Sequence, residues 1–192
     1  IVFSNVNSGI ITSNTSYPVI RDSIGNIINP TVWYKFDNNA NNMLIDSSGN
    51  GYSLTNSGTT IDGVNYVRGN SSAYFNGGSS YMRSIPLTLN IYKIQNTTGI
   101  TFSFWFKSNY IGSTTMSIFD IGNKGIDINY ITIRKITSNT YIRFEITENY
   151  NTIDVTTTLY NSLGINFFDN NWRFITWSIN NKGNWFIYIN GV

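Results

Sequence analysis

Asn171-Trp172-Arg173-Phe174-Ile175-Thr176-Trp177-Ser178-Ile179-Asn180-Asn181-Lys182-Gly183-Asn184-Trp185-Phe186-Ile187-Tyr188-Ile189-Asn190-Gly191-Val192 decides the fold class of this 192-residue chain. Trp172 to Ile179 and Asn184 to Ile189 are two runs of aromatic and β-branched residues, the types that pack on a pleated surface. Asn180-Asn181-Lys182-Gly183 between them is a turn, so the pair reads as a β-hairpin. Asn190-Gly191 then predicts a two-residue type I′ turn, whose central positions both need φ > 0. A turn of that kind starts a further strand, and only Val192 follows it. The sequence is therefore expected to stop inside a domain, with further strands beyond it. Since the chain opens on Ile1 with neither Met nor a signal peptide, its natural N-terminus is likewise expected outside the sequence.

Outward from this hairpin the same pattern repeats. Thr101 to Lys107 alternates Phe102, Phe104 and Phe106 with Ser103, Trp105 and Lys107, the period of a half-buried strand. Further strands are expected at Thr31 to Phe36, Tyr52 to Asn56, Asn65 to Val67, Ala73 to Asn76 and Tyr81 to Ser84. The series continues with Thr115 to Ile121, Ile128 to Ile136, Thr140 to Thr147 and Thr152 to Leu159. Leu87 to Ile94 reads equally as strand or helical turn. No segment longer than ten residues carries a 3.6-residue apolar period. Many strands with frequent turn residues predict an all-β sandwich or jelly roll. Residues 1–30 are rich in Asn, Ser, Thr and Gly, with Pro18 and Pro30 as punctuation, and read as an N-terminal arm or linker before a domain at 31–192.

Composition narrows the function classes. Charged residues make up 11% of the chain, against the usual quarter or so, while aromatics reach 16%. Asparagine, at about one residue in six or seven, carries much of the surface polarity. The net charge of +2 comes from twelve basic residues with no run among them, which argues against a nucleic-acid or anionic-membrane partner. Cys and His are both absent, removing disulfides, thiol catalysis, the ordinary triads, and the commonest general base and metal ligand. No apolar stretch is long enough for a membrane span. Sequons at Asn14, Asn70 and Asn96 are matches expected by chance in so Asn- and Ser-rich a chain.

With the strands placed, four motifs in order resemble the laminin-G-like, concanavalin A-like jelly-roll superfamily. They are Val32-Trp33-Tyr34-Lys35-Phe36-Asp37 with Asp46-Ser47-Ser48-Gly49-Asn50-Gly51; Ala73-Tyr74-Phe75-Asn76-Gly77; Phe102 to Lys107; and Trp172 through Gly183 to Tyr188-Ile189-Asn190-Gly191. The resemblance implies two antiparallel sheets in a jelly-roll sandwich, truncated at its C-terminal end. In that setting Trp172, Trp177, Trp185 and Tyr188 read as core and register-setting residues. The Asn- and Ile-rich wording of these motifs also resembles laminin-G-like proteins of large DNA viruses, which implies a virion component or a surface adhesin.

Three places in the sequence could carry chemistry. A retaining glycosidase needs two carboxylates about 5 Å apart, commonly reached by acids at i and i+4 on one strand face, often with a third acid between. Glu145 and Glu148 are three apart and point to opposite faces, so they read as solvated charges and the chain as non-enzymatic. Sugar binding needs an aromatic face beside polar groups. Strand alternation offers Trp105, Tyr130, Arg134, Tyr141 and Arg143 for that role, against the plainer reading in which Trp105 packs under a loop and the Arg/Glu pairs are cross-strand neighbours. Calcium, which the resemblance implies as an option, would need Asp46 joined by Asp37 or Asp120; Asp46 capping its own turn is the simpler reading, and no cofactor is required. The expected function is a non-catalytic module that binds glycans or a surface protein, at a cell exterior or on a virion among other virion proteins. The rival is a purely structural scaffold domain whose open sheet edge is covered by another chain or by the rest of its own.

Overall fold

The computed structural model describes residues 2–4, 11–14, 17–20, 24–37, 42–84, 99–123, 129–136, 142–148, 151–153 and 165–192. The described residues are all-β: antiparallel strands, one 3₁₀ turn at Asn42–Leu44 and no α-helix. Accordingly, none of them forms a helix long and apolar enough to cross a membrane. The chain divides into two compact units, residues 1–106 with 174–192, and residues 107–173.

The first unit is built on a five-stranded sheet. Its strands are β1 (Val2–Ser4), β4 (Val32–Trp33), β9 (Ile100–Phe106), β14 (Arg173–Ile179) and β15 (Trp185–Ile189), in the order β15-β14-β9-β1-β4. The segment read as an arm thus contributes β1, paired on one side with β9 and on the other with β4. The 31–36 run forms only the short β4. Three hairpin-like pairs accompany this sheet: β2 (Ile11–Asn14) with β3 (Tyr17–Ile20), β5 (Leu54–Ser57) with β8 (Tyr81–Ser84), and β6 (Thr60–Asp62) with β7 (Ser72–Tyr74). Phe102, Ile175, Trp177 and Val32 are fully buried on one face of the main sheet, and Phe102 packs on Trp177 with centroids 5.4 Å apart.

Central position changes the burial of β9. Thr101 and Ser103 are buried as well as Phe102 and Phe104, so the strand is covered on both faces rather than half-buried as its alternation predicts. Their hydroxyls satisfy each other's neighbours across the ladder, Thr101 with Ser178 at 2.9 Å and Ser103 with Thr176 at 3.1 Å. That pairing is what allows polar side chains to be buried at little cost.

The hairpin of Trp172 to Ile189 forms as expected. Trp177 pairs with Ile187 and Ile175 with Ile189. Asn190 and Gly191 adopt φ of 57° and 87°, and Ile189 and Val192 exchange both backbone hydrogen bonds, at 3.0 and 3.2 Å. These are the marks of a type I′ turn. Expectation and structure part at the aromatics. Trp177 is core, but β15 lies at the sheet edge, and Phe186 and Tyr188 are 43% and 42% exposed.

Asn65 to Val67 is not a strand. Asp62 ends β6, and its carboxylate accepts from the N–H groups of Val64 and Asn65, both at 2.8 Å, and from Asn65 Nδ2 at 2.9 Å. This side-chain capping bends the backbone away from a ladder. The strand is Thr60–Asp62 instead, five residues earlier.

The second unit holds a four-stranded antiparallel sheet, β10 (Met116–Asn123), β11 (Asn129–Lys135), β12 (Ile142–Glu148) and β13 (Asn151–Ile153), in that order. Ile131, Ile133, Ile142 and Phe144 are buried on one face. At the end of this face Lys135 is buried too, its Nζ donating to the Gly112 carbonyl at 2.6 Å and lying 5.5 Å from the ring centroids of Tyr110 and Phe168. A buried ammonium is tolerable here because carbonyl and π-faces replace its water. Of the expected Thr152 to Leu159 strand, only residues 152 and 153 are described, and Leu87 to Ile94 lies outside the described residues.

Candidate functional site

The polar face of the second unit follows directly from register. Arg134 faces Arg143, Thr132 faces Glu145 and Tyr130 faces Thr147 across β11 and β12. On β10, Ser117 faces Arg134 and Asp120 faces Thr132. Because strand side chains alternate, this face is the reverse of the Ile131, Ile133 and Phe144 face, as the sequence predicts.

Glu145 is the hub of the face. It is only 2% exposed, which corrects its reading as a solvated charge: β12 is an interior strand, and larger side chains close over the carboxylate. Oε1 accepts from the Tyr130 hydroxyl at 2.8 Å, and Oε2 accepts from Arg134 Nη2. Arg143 Nη1 stands 3.9 Å from the same Oε2, beyond hydrogen-bonding reach. Tyr130 and Arg134 reach Glu145 along the two diagonals of the ladder, a spacing that suits long side chains. The arginine side chains remain 23% and 26% exposed, with both Nε atoms buried and without a partner. Two guanidinium groups thus share one carboxylate, and most of their N–H donors are unused. Asp120 adds a second, exposed carboxylate to this face.

Chemically, the arrangement holds and orients cations and a phenol. Both oxygens of Glu145 are engaged, one by the Tyr130 hydroxyl and the other by Arg134. Of the five residues selected from sequence, Tyr130, Arg134 and Arg143 come together here. Tyr141 lies outside the described residues. Trp105 belongs to the first unit, where it is 37% exposed and packs on Phe174 with centroids 5.2 Å apart. It shares its sheet face with the Thr101, Ser103, Thr176 and Ser178 hydroxyls, and with Phe186 and Tyr188 opposite Ser178 and Thr176 on β15. Of that face, Trp105, Phe186 and Tyr188 are exposed, whereas Thr101 and Ser103 are buried. Glu145 and Lys135 are the residues that sequence reasoning undervalued. An acid two residues after Arg143 on one strand face, with Arg134 across the turn, was the available signal for Glu145; Lys135 gave none.

The acidic loop residues have structural roles. Asp46 accepts from the N–H groups of Trp33, Ser48 and Tyr52 at 3.0, 2.9 and 3.1 Å and from the Ser48 hydroxyl at 2.8 Å. Burial pushes its acidity the other way, but these four donors outweigh it and hold the carboxyl below the usual range. It caps its own turn, and its lone pairs are spent on N–H and O–H donors rather than left for a cation. Asp37 is 5% exposed and has one long bond, from Asn70 N–H at 3.4 Å. Burial, only partly offset by that bond, raises its pKa. Among the described residues no three acidic side chains gather into a metal-binding group. Tyr34, whose hydroxyl donates to the Tyr52 carbonyl, is pushed up to about 12 by burial and by the charge of Asp46.

Comparison with protein-family models, with curated proteins and with solved structures gives no match.

Proposed function

We propose that this chain is a non-catalytic binding module that recognises glycans at a surface, with Tyr130, Arg134 and Arg143 in its contact face. The observation that carries this reading is the buried Glu145. It fixes Tyr130 and Arg134 by hydrogen bonds and draws Arg143 to 3.9 Å while leaving that guanidinium without a hydrogen bond of its own. Side chains locked before binding lose little entropy on contact, and a fork of free N–H donors suits the carboxylate or sulfate of an acidic sugar, while the tyrosine ring suits its apolar side. Asp120 and Ser117 on the same face would accept and donate to neighbouring hydroxyls.

The sandwich, in this reading, is the two-sheet jelly roll of laminin-G-like, concanavalin A-like domains, supported by the all-β architecture and the four motifs in order. The setting is extracellular or virion-borne, as the resemblance to laminin-G-like proteins of large DNA viruses implies. A glycan array probed with the protein tests the function. Saturable binding that favours acidic over neutral glycans and is lost in Arg143→Gln is expected; absence of any glycan signal with a folded protein would remove the proposal.

A further inference from the structure

Lys135 ends β11, where it pairs with Met116 on one side and Ile142 on the other. Its buried side chain reaches two stretches of the second unit that lie far apart in sequence. Residues 107–115 carry the chain from β9 into β10, and residues 165–172 carry it on to β14. In the first stretch Nζ donates to the Gly112 carbonyl at 2.6 Å and lies 5.5 Å from the Tyr110 ring centroid; in the second it lies 5.5 Å from the Phe168 ring centroid. One ammonium thus joins both stretches to the sheet that carries it.

Asn109, Ile111, Ser113, Thr114 and Thr115 are all exposed, Ile111 at 84%, so apolar burial does little to fix the first stretch. Local hydrogen bonds set the two rings in place instead. The Tyr110 N–H donates to Ser108 Oγ at 3.1 Å, and the Phe168 N–H to Asn166 Oδ1 at 2.9 Å. A Cβ on Gly112 would lie 2.3 Å from Tyr110 Oη, so glycine is what lets that ring fold back over its own stretch. The two stretches also meet directly, the Asn170 N–H donating to the Ser108 carbonyl at 2.9 Å.

An ammonium is a compact charge with three N–H donors, and a carbonyl beside two π-faces supplies contacts that replace its water. We propose that Tyr110, Gly112 and Phe168 form a cage for a primary ammonium, which Lys135 fills from within the chain, strapping both stretches to the end of β11. A methionine at this position would match the apolar stem but bring no donor for the Gly112 carbonyl and no charge for the rings. The strap would then open while the sheet stayed formed.

The test is amide exchange of the 192-residue protein, read residue by residue in wild type, Lys135→Met and Lys135→Ala. In Lys135→Met, exchange at Tyr110, Phe168 and Asn170 should quicken at least tenfold together, while Ile131 and Ile133 in β11 keep their protection. In Lys135→Ala, n-propylammonium chloride at decimolar concentration supplies the atoms that the substitution removes and should restore protection at all three; sodium chloride and n-propanol at the same concentration should not. Unchanged exchange in Lys135→Met, or quickening in one stretch alone, would overturn the strap. Failure of n-propylammonium to restore protection, or equal restoration by sodium chloride or n-propanol, would overturn the cage. Loss of Ile131 and Ile133 protection in both variants would make Lys135 a part of the core instead of a strap, and would overturn the proposal as well.

Discussion

Replacing Glu145 by Ala should destabilise the second unit far more than replacing either exposed partner of its cluster. The substitution strips a charge-assisted bond from Arg134 and a hydrogen bond from Tyr130, and it leaves two guanidinium groups facing each other without a counter-charge. A hydrogen bond to a charged group contributes about 1.5–3 kcal/mol, and breaking a fully buried pair costs about 3–5 kcal/mol. Arg134 and Arg143 are about a quarter exposed and can turn toward water, which places the cost in the lower half of that span, about 2–3 kcal/mol. For a chain of this size that is a fall in Tm of roughly 4–12 °C. Arg143→Gln removes a group 3.9 Å from its partner and should cost about 0–1 kcal/mol, the range of exposed pairs. Urea titrations followed by far-UV circular dichroism would measure both. Equal stabilities for wild type and Glu145→Ala, or a larger loss for Arg143→Gln, would refute the hub role.

Other consequences are equally open to measurement. Asp37 has its pKa raised in the folded state, so its contribution is full below the usual carboxylate value of 3.8 and is lost as pH rises through the folded value. Asp37→Asn should therefore raise the neutral-pH Tm and lose that advantage in acid, as melts at pH 7 and pH 3 would show. Tyr34, with its pKa pushed from 10.0 to about 12, contributes stability present below pH 10 and lost between there and about pH 12. Alkaline melts of Tyr34→Phe should lack that decline. Gly99→Ala would set a Cβ 2.2 Å from the Ile179 carbonyl oxygen at a φ of +102°, whereas Gly183→Ala meets nothing within 4 Å at +76°. The second should cost about 1 kcal/mol for its backbone conformation alone, and the first several-fold more by adding the clash, both read from urea midpoints. Calcium or chelator should leave the Tm unchanged, because Asp46 is already occupied by N–H and O–H donors.

Much of the strand pattern was legible because alternation and turn chemistry are local. Tyr81–Ser84 is where the sequence puts it, and the other long strands differ by a residue or two at their ends. Asn190-Gly191 forms the turn its residue types demand. What was not legible depends on neighbours. Burial of Thr101 and Ser103 follows from the place of β9 inside the sheet, and exposure of Tyr188 from the place of β15 at its edge. Which face Tyr130, Arg134 and Arg143 occupy could be read from period two. That Glu145 is buried among them could not, since it requires the register between β11 and β12. Asp62 misled the strand assignment because capping by a side chain overrides the apolar run after it.

The measurement that bears most directly on the proposed function is the affinity of the folded protein for an immobilised acidic glycan series, with Arg143→Gln and Ser117→Ala beside wild type. The account predicts binding that weakens with salt, as charge contacts do. It also predicts at least a tenfold loss in Arg143→Gln with the Tm lowered by no more than about 4 °C, and a smaller loss in Ser117→Ala. Binding of undiminished strength in Arg143→Gln, or none in any form of a protein whose melting curve is intact, would contradict it.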